Sequence, residues 1–245
     1  MNKLKRMGLA AALVVPMIGG TLLTAPAASA AAACQPAAKV TYDPHPGAIA
    51  LQTSFETGTL EKFLPKSSGT GTATVSSAQR RSGACSAYLH ATADAGSVAM
   101  MSTRSLPSGS REVYADGWFN MTKAGLPTSD VPYFRVFNGS ARVMDVHRAN
   151  SDGQLWLRVA SPAGSFDYLR LGGVVAGLGA WHHLVLHAAL NGPTSTAEVW
   201  FDGQLLYSSS TVSTGHKALT RVQLGAEHPR QMGDTYVDDV SITVR

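Results

Sequence analysis

Residues 112–121 alternate: Val113, Ala115, Gly117 and Phe119 fall on one side, and Tyr114, Asp116, Trp118 and Asn120 on the other. Successive side chains of a strand point to opposite faces, so this period of two predicts a half-buried β-strand. The same period runs through residues 196–201, then Asp202-Gly203 interrupts it before residues 205–209. An Asp-Gly pair between two such runs predicts a tight hairpin, because glycine takes positive φ at no steric cost. Further short strands are predicted over residues 70–77, 87–91, 98–101, 132–137, 142–148, 154–160, 166–171, 181–189, 221–225 and 236–244. The best helical candidate is one short piece near residues 215–219. Many short strands separated by turn residues, without an internal repeat, predict an all-β sandwich or barrel.

The N-terminus follows a different pattern. Lys3, Lys5 and Arg6 precede an apolar run over residues 7–23 that contains Pro16, Gly19 and Gly20, and Ala28-Ser29-Ala30 follows. This is the order of a signal peptide, residues 1–30, and the run is too short and too broken for a good membrane anchor. A secreted chain without a membrane span is expected. Residues 31–53, with Pro36, Pro44 and Pro46, are expected to form an N-terminal arm or linker, and residues 54–245 a single β-domain. The net charge of +4 falls to +1 once the three leader cations are removed, so no nucleic-acid footprint remains. A monomer is expected. The two cysteines, Cys34 and Cys85, lie in the exported part, where an even count favours one disulfide. Ala31-Ala32-Ala33-Cys34 also bears a faint likeness to a lipobox, which would make Cys34 a lipid anchor instead.

Several short motifs resemble one known architecture. Phe55-Glu56-Thr57-Gly58 resembles the opening of concanavalin A-like jelly rolls, and Arg81-Ser82-Gly83 with Ala87-Tyr88-Leu89 resembles their second-strand entry. Gly179-Ala180-Trp181-His182-His183-Leu184 is similar to the Gly-x-Trp-His strand of laminin G-like domains, and Tyr236-Val237-Asp238-Asp239-Val240 to their closing strand. A narrower resemblance, to secreted jelly rolls related to fungal glucuronan lyases, rests on Phe134-Arg135-Val136 and on the run from Arg142 to Asp152. Asp145, Arg148 and Asp152 keep their places there; His147, Asn150 and Gly153 depart from the pattern. The resemblance implies an all-β, two-sheet antiparallel jelly-roll sandwich whose first and last strands are neighbours. It further implies a structural Ca2+ held by Glu56, Ser82 and Asp238, oxygen ligands that suit a hard ion. Cys85 stands where that pattern has Asn, so a Cys34–Cys85 disulfide would replace part of the metal staple. The competing expectation is that Glu56 and Asp238 are exposed acids or accept hydrogen bonds from turn amides.

Alternation places Tyr133 and Arg135 on one face with Phe137, and Tyr168 with Arg170. Together with Trp156 these residues supply flat rings for pyranose faces and planar cations for hydroxyls or carboxylates. An extracellular polysaccharide or glycan is the expected partner, bound without catalysis. The alternative is a uronate lyase, in which Arg135 or Arg148 neutralises the carboxylate and His147 or Tyr168 abstracts the neighbouring proton. On an unbroken strand His147 and Arg148 point to opposite faces, which weighs against that set. Glycoside hydrolysis lacks its pair of carboxylates on one strand. His183 and His187 share a strand face but stand about 13 Å apart, too far to hold one zinc ion between them.

Overall fold

The computed structural model describes Cys34 and residues 40–245. The leader, residues 1–30, and the Ala31–Ala33 part of the lipobox-like run lie outside the described residues. Fifteen strands form two sheets: β1 (Ala48–Thr53), β2 (Leu64–Ser68), β3 (Thr72–Ser76), β4 (Ser86–Ala91), β5 (Val98–Ser102), β6 (Glu112–Ala124), β7 (Asp130–Asn138), β8 (Ala141–Ala149), β9 (Gln154–Ala160), β10 (Phe166–Val175), β11 (His182–Ala189), β12 (Ser195–Phe201), β13 (Gln204–Val212), β14 (Arg221–Ala226) and β15 (Gly233–Val244). Sheet one runs β13-β12-β11-β6-β15-β4-β3, with β1 also on β15, and sheet two runs β10-β9-β8-β7-β14-β5-β2. Every pairing is antiparallel. The chain is an all-β jelly-roll sandwich.

The alternation read in residues 112–121 is the burial pattern of β6. Val113, Ala115 and Phe119 are buried, and the Phe119 ring meets Phe134 of sheet two edge-on at 5.0 Å. Gly117 lies under that contact. A Cβ there would stand 3.1 Å from the Phe134 ring and 3.3 Å from Val240, so glycine lets the sheets close. The Asp202-Gly203 turn joins β12 to β13 with φ of 50° and 79°, both positive as a two-residue hairpin of this hand requires.

The first and last strands meet as expected, with Thr53 opposite Val240 and Ala48 opposite Val244. That places Ala48–Thr53, within the segment assigned to the arm, in sheet one. Its pattern hides the strand, because only Leu51 is buried. Leu64–Ser68 is a second strand without an alternating signal. It is exposed throughout and holds Pro65, which an edge strand tolerates because no neighbour needs its missing N–H. Residues 215–219 are not helical: Gly215 takes φ 69° and Leu219 turns into the core, its N–H donating to Ser110 O.

β15 organises one corner. Its first half pairs with β4 and its second half with β1, while β6 runs along its other edge. At the changeover the register with β6 slips between Asp238 and Ser241, and Asp239 takes φ 49°. The slip turns both carboxylates toward the turn that precedes β4.

Candidate functional site

Cross-strand register builds a polar row over the outer face of sheet two. Ser102, Gln223, Arg135, Asp145, Arg158 and Tyr168 stand opposite one another in turn across β5, β14, β7, β8, β9 and β10. Asp145 is the pivot. Its Oδ2 accepts from Arg158 Nε at 2.7 Å, its Oδ1 from Arg158 Nη2 at 3.0 Å, and His147 Nδ1 lies 3.1 Å from Oδ1. Burial pushes the Asp145 carboxyl up, but these hydrogen bonds and the charges of Arg158 and His147 outweigh it and hold the group below its ordinary value. The same pairing raises the Arg158 guanidinium against the pull of burial.

Arg135 is locked rather than open. It is fully buried, donating to Glu227 Oε2 at 2.7 Å, to Gln231 Oε1 at 3.0 Å and to Gly225 O. Burial draws it down to about 10 in spite of Glu227. The exposed end of the face belongs to β9 and β10. Trp156 stands between His147 and Arg170 in register, Tyr168 is 54% exposed, and Arg170 Nε donates to Gln154 Oε1 at 3.1 Å. A cavity of about 460 Å³ is lined there by His147, Trp156, Tyr168, Asp130 and Asp152. A second, of about 770 Å³, opens toward β2 and β5 between Lys66, Met100, Arg221, Gln223 and Glu227.

Two irregularities correct the sequence reading of this face. The β7–β8 register shifts between Pro132 and Arg135, which carries Tyr133 into the core. There it is 2% exposed and packs edge-on against Phe119 at 4.7 Å, so it does not share a face with Arg135. A second shift, beside Phe137, buries Val143 and brings Arg142 out to Asp145 at 3.3 Å and over the Phe166 ring. Bulges of this kind exchange faces within one residue and leave no signal in an alternation pattern. Arg148 does lie opposite to His147, with Nε donating to Ala176 O at 2.8 Å, so one of the two arginines considered for neutralising a uronate is absent from the face. Arg158, Gln223 and Glu227 were not singled out from sequence. For Arg158 the signal was present, in the two-residue step from Trp156.

The acids expected at the metal site gather at the β15 corner. Asp238 Oδ2 accepts from the Arg81 and Ser82 N–H groups at 2.8 and 3.2 Å, and Oδ1 accepts from its neighbour's N–H at 2.8 Å. Glu56 accepts from the Ala84 N–H at 3.0 Å and the Cys85 N–H at 2.9 Å, while Ser82 Oγ donates to Asp239 Oδ1 at 2.7 Å. Both acids accept turn amides. Burial and the adjacent Asp239 carboxylate push Asp238 up to about 7, and burial raises Asp239 as well. The donors are all oxygen and carry surplus negative charge, which fits a hard divalent cation in kind, although each carboxylate has already spent part of its acceptor capacity on the turn. Cys34 and Cys85 are joined in a disulfide, so the Cys34 sulfur is not available as the thioether of a lipid anchor.

No protein-family model matches the sequence, and no curated protein matches it. Solved structures do. An endo-β-1,4-glucuronan lyase from the fungus Trichoderma reesei superposes with a TM-score of 0.60 at 15% identity, over 77% of this chain and 93% of that one. A cellulose-induced protein gives 0.61 at 18% identity, over 78% and 96%. A carbohydrate esterase from a Shiga toxin-encoding bacteriophage gives 0.59 at 14%, over 82% and 100%. At these identities the likeness shows the fold, a concanavalin A-like jelly roll. Among the described residues no helix is long and apolar enough to cross a membrane.

Proposed function

We propose that the chain is a secreted, lectin-like module that holds an extracellular polysaccharide on the outer face of sheet two. The observation that carries this reading is the polar row ending in Trp156 and Tyr168. Fixed guanidinium and carboxylate groups, Arg135, Asp145 and Arg158, alternate across three strands, and beside them stand rings on which a pyranose can lie. The three structural neighbours are named for glucuronan cleavage, for induction by cellulose and for carbohydrate ester cleavage, which supports a sugar polymer as the ligand class. A glycan array identifies the ligand. Tyr168→Ala and Arg170→Ala are each expected to weaken binding to that ligand about tenfold, the loss of roughly 1.4 kcal/mol. Undiminished binding in both variants would remove the site from this face.

A second reading, β-elimination on a uronic-acid polymer, is supported by His147 and Tyr168 lining one cavity, their rings 6.3 Å apart. With Arg148 turned away and Arg135 committed to Glu227, Arg170, beside Trp156 in register, is the candidate cation for a uronate, since Arg158 and Arg142 pair with Asp145. Unsaturated products absorbing in the ultraviolet would establish it, and a panel of uronans yielding none would exclude it. We propose in addition that Ca2+ binds at the Glu56, Ser82 and Asp238 corner, supported by surplus charge on an oxygen-only donor set. Calcium is then expected to raise the melting temperature in the wild type and not in Glu56→Gln.

A further inference from the structure

The outer face of sheet one carries a cluster that the glycan reading does not use. Asp116 on β6 is 3% exposed and has both oxygens engaged. Oδ1 lies 2.6 Å from His183 Nε2 on β11, and Oδ2 lies 2.7 Å from His45 Nε2 in the segment before β1. Asp43, from the same segment, completes the group: one ligand atom each from Asp43, Asp116 and His183 fall within 4.8 Å of one another. It is the one such trio of His, Cys, Asp or Glu among the described residues. Both imidazoles are held by stacking, His183 on Trp118 at 4.8 Å and His45 on Tyr114 at 4.9 Å. A cavity of about 430 Å³, also bounded by Tyr42, Arg81 and Asp239, opens in front of the trio.

From this arrangement we infer that Asp43, Asp116 and His183 form a binding site for a divalent first-row transition ion, with Zn2+ the best fit. One imidazole nitrogen with two carboxylates is a borderline donor set that calcium and magnesium do not favour. Three protein ligands facing a cavity leave a coordination position for water or an anionic oxygen. The two carboxylates balance the charge of the ion. His45 remains outside, donating Nε2–H to the far oxygen of Asp116, an arrangement that orients a ligating carboxylate. The ion displaces the proton shared by Asp116 and His183, which requires the two atoms to part from 2.6 Å to roughly 3.3 Å, the separation set by tetrahedral bonds of about 2.0 Å. Asp43 is exposed and free to follow. The strand-mate His187 takes no part, being held by Glu198 at 2.8 Å and Glu112 at 3.1 Å. Two of the four residues precede β1, so the ion would fasten that segment to the sheet.

The test is calorimetric titration of tag-free, chelator-treated protein with zinc chloride, in buffer containing calcium so that the β15 corner is saturated. One Zn2+ per chain is expected. Asp43→Asn, a surface change, is expected to weaken it by about 10- to 100-fold, His183→Gln to abolish it, and His187→Gln to leave it unchanged. Co2+ is expected to give visible d–d absorption that disappears in the His183 variant. Absence of stoichiometric zinc, binding undiminished in Asp43→Asn, or binding lost with His187→Gln would each overturn the site. The Asp43 variant keeps the test decisive if His183→Gln fails to fold.

Discussion

Asp145 and Asp238 are both fully buried, and their surroundings push them in opposite directions. Asp145, at the centre of the outer face of sheet two, faces Arg158 and His147, and its carboxyl titrates below its ordinary value. Asp238, at the β15 corner, receives three backbone N–H groups and has Asp239 beside it, and it rises to about 7. Both give up water. Only the first is repaid by full opposite charge, because amide dipoles orient the carboxylate yet offset only part of the desolvation. The outer face of sheet two therefore holds a fixed pattern of charge, whereas the corner uses its acids to hold a turn.

The largest expected effect comes from breaking the first arrangement. Asp145→Ala leaves Arg158 buried without its partner, at an expected loss of about 3–5 kcal/mol in urea unfolding. Replacing both members, Asp145→Leu with Arg158→Met, should recover most of that loss, since no charge is then left uncompensated. A single substitution costing less than about 1 kcal/mol would show that Asp145 does not balance the face.

The two aspartates also predict opposite pH dependences, measured with chelator present so that no metal occupies the corner. Asp145 has a native pKa below its unfolded value near 3.9, so its contribution is complete above that value and is lost as pH falls through the native one. Asp238 behaves in reverse. Its native value of about 7 exceeds the unfolded one, so between about pH 4 and pH 7 the folded state binds the extra proton and stability falls as pH rises. At about 1.4 kcal/mol per pKa unit the full effect is on the order of a few kcal/mol. Asp238→Asn should flatten this part of the profile relative to wild type. Equal slopes in the two proteins would mean that Asp238 is already ionised without penalty.

The sequence made the sheets legible wherever one face is buried and the other wet. β6 and β12 follow from alternation, and the Asp202-Gly203 hairpin follows from turn chemistry. β1 and β2 escaped because a strand that buries one residue or none carries no period. The candidate glycan face was read without its bulges: Trp156, Tyr168 and Arg170 stand together, while one register shift took Tyr133 into the core and a second brought Arg142 out. The Cys34–Cys85 pairing followed from count and compartment alone. The Asp43–Asp116–His183 trio left no trace, since its members come from three separate segments that only the packed sheet brings together.

The smallest predicted effect separates turn strain from the contact that the Glu56 carboxylate makes. Gly83 and Gly139 both occupy left-handed turns, with φ of 58° and 61°. A Cβ on Gly139 meets nothing within 4 Å, so Gly139→Ala should cost only the backbone strain, about 1 kcal/mol. A Cβ on Gly83 would stand 2.3 Å from Glu56 Oε1, forcing the carboxylate off the Ala84 and Cys85 N–H groups. Gly83→Ala should therefore cost about 1–2 kcal/mol more than Gly139→Ala in thermal unfolding, the price of a buried hydrogen-bonding group left unmatched. Glycan binding on sheet two should be unchanged in the folded Gly83 variant, because the corner belongs to sheet one and that face to the other sheet. If binding weakened along with stability, the turn-holding corner and the charge-patterned face would be one coupled unit, and the contrast between the two aspartates would describe a single network.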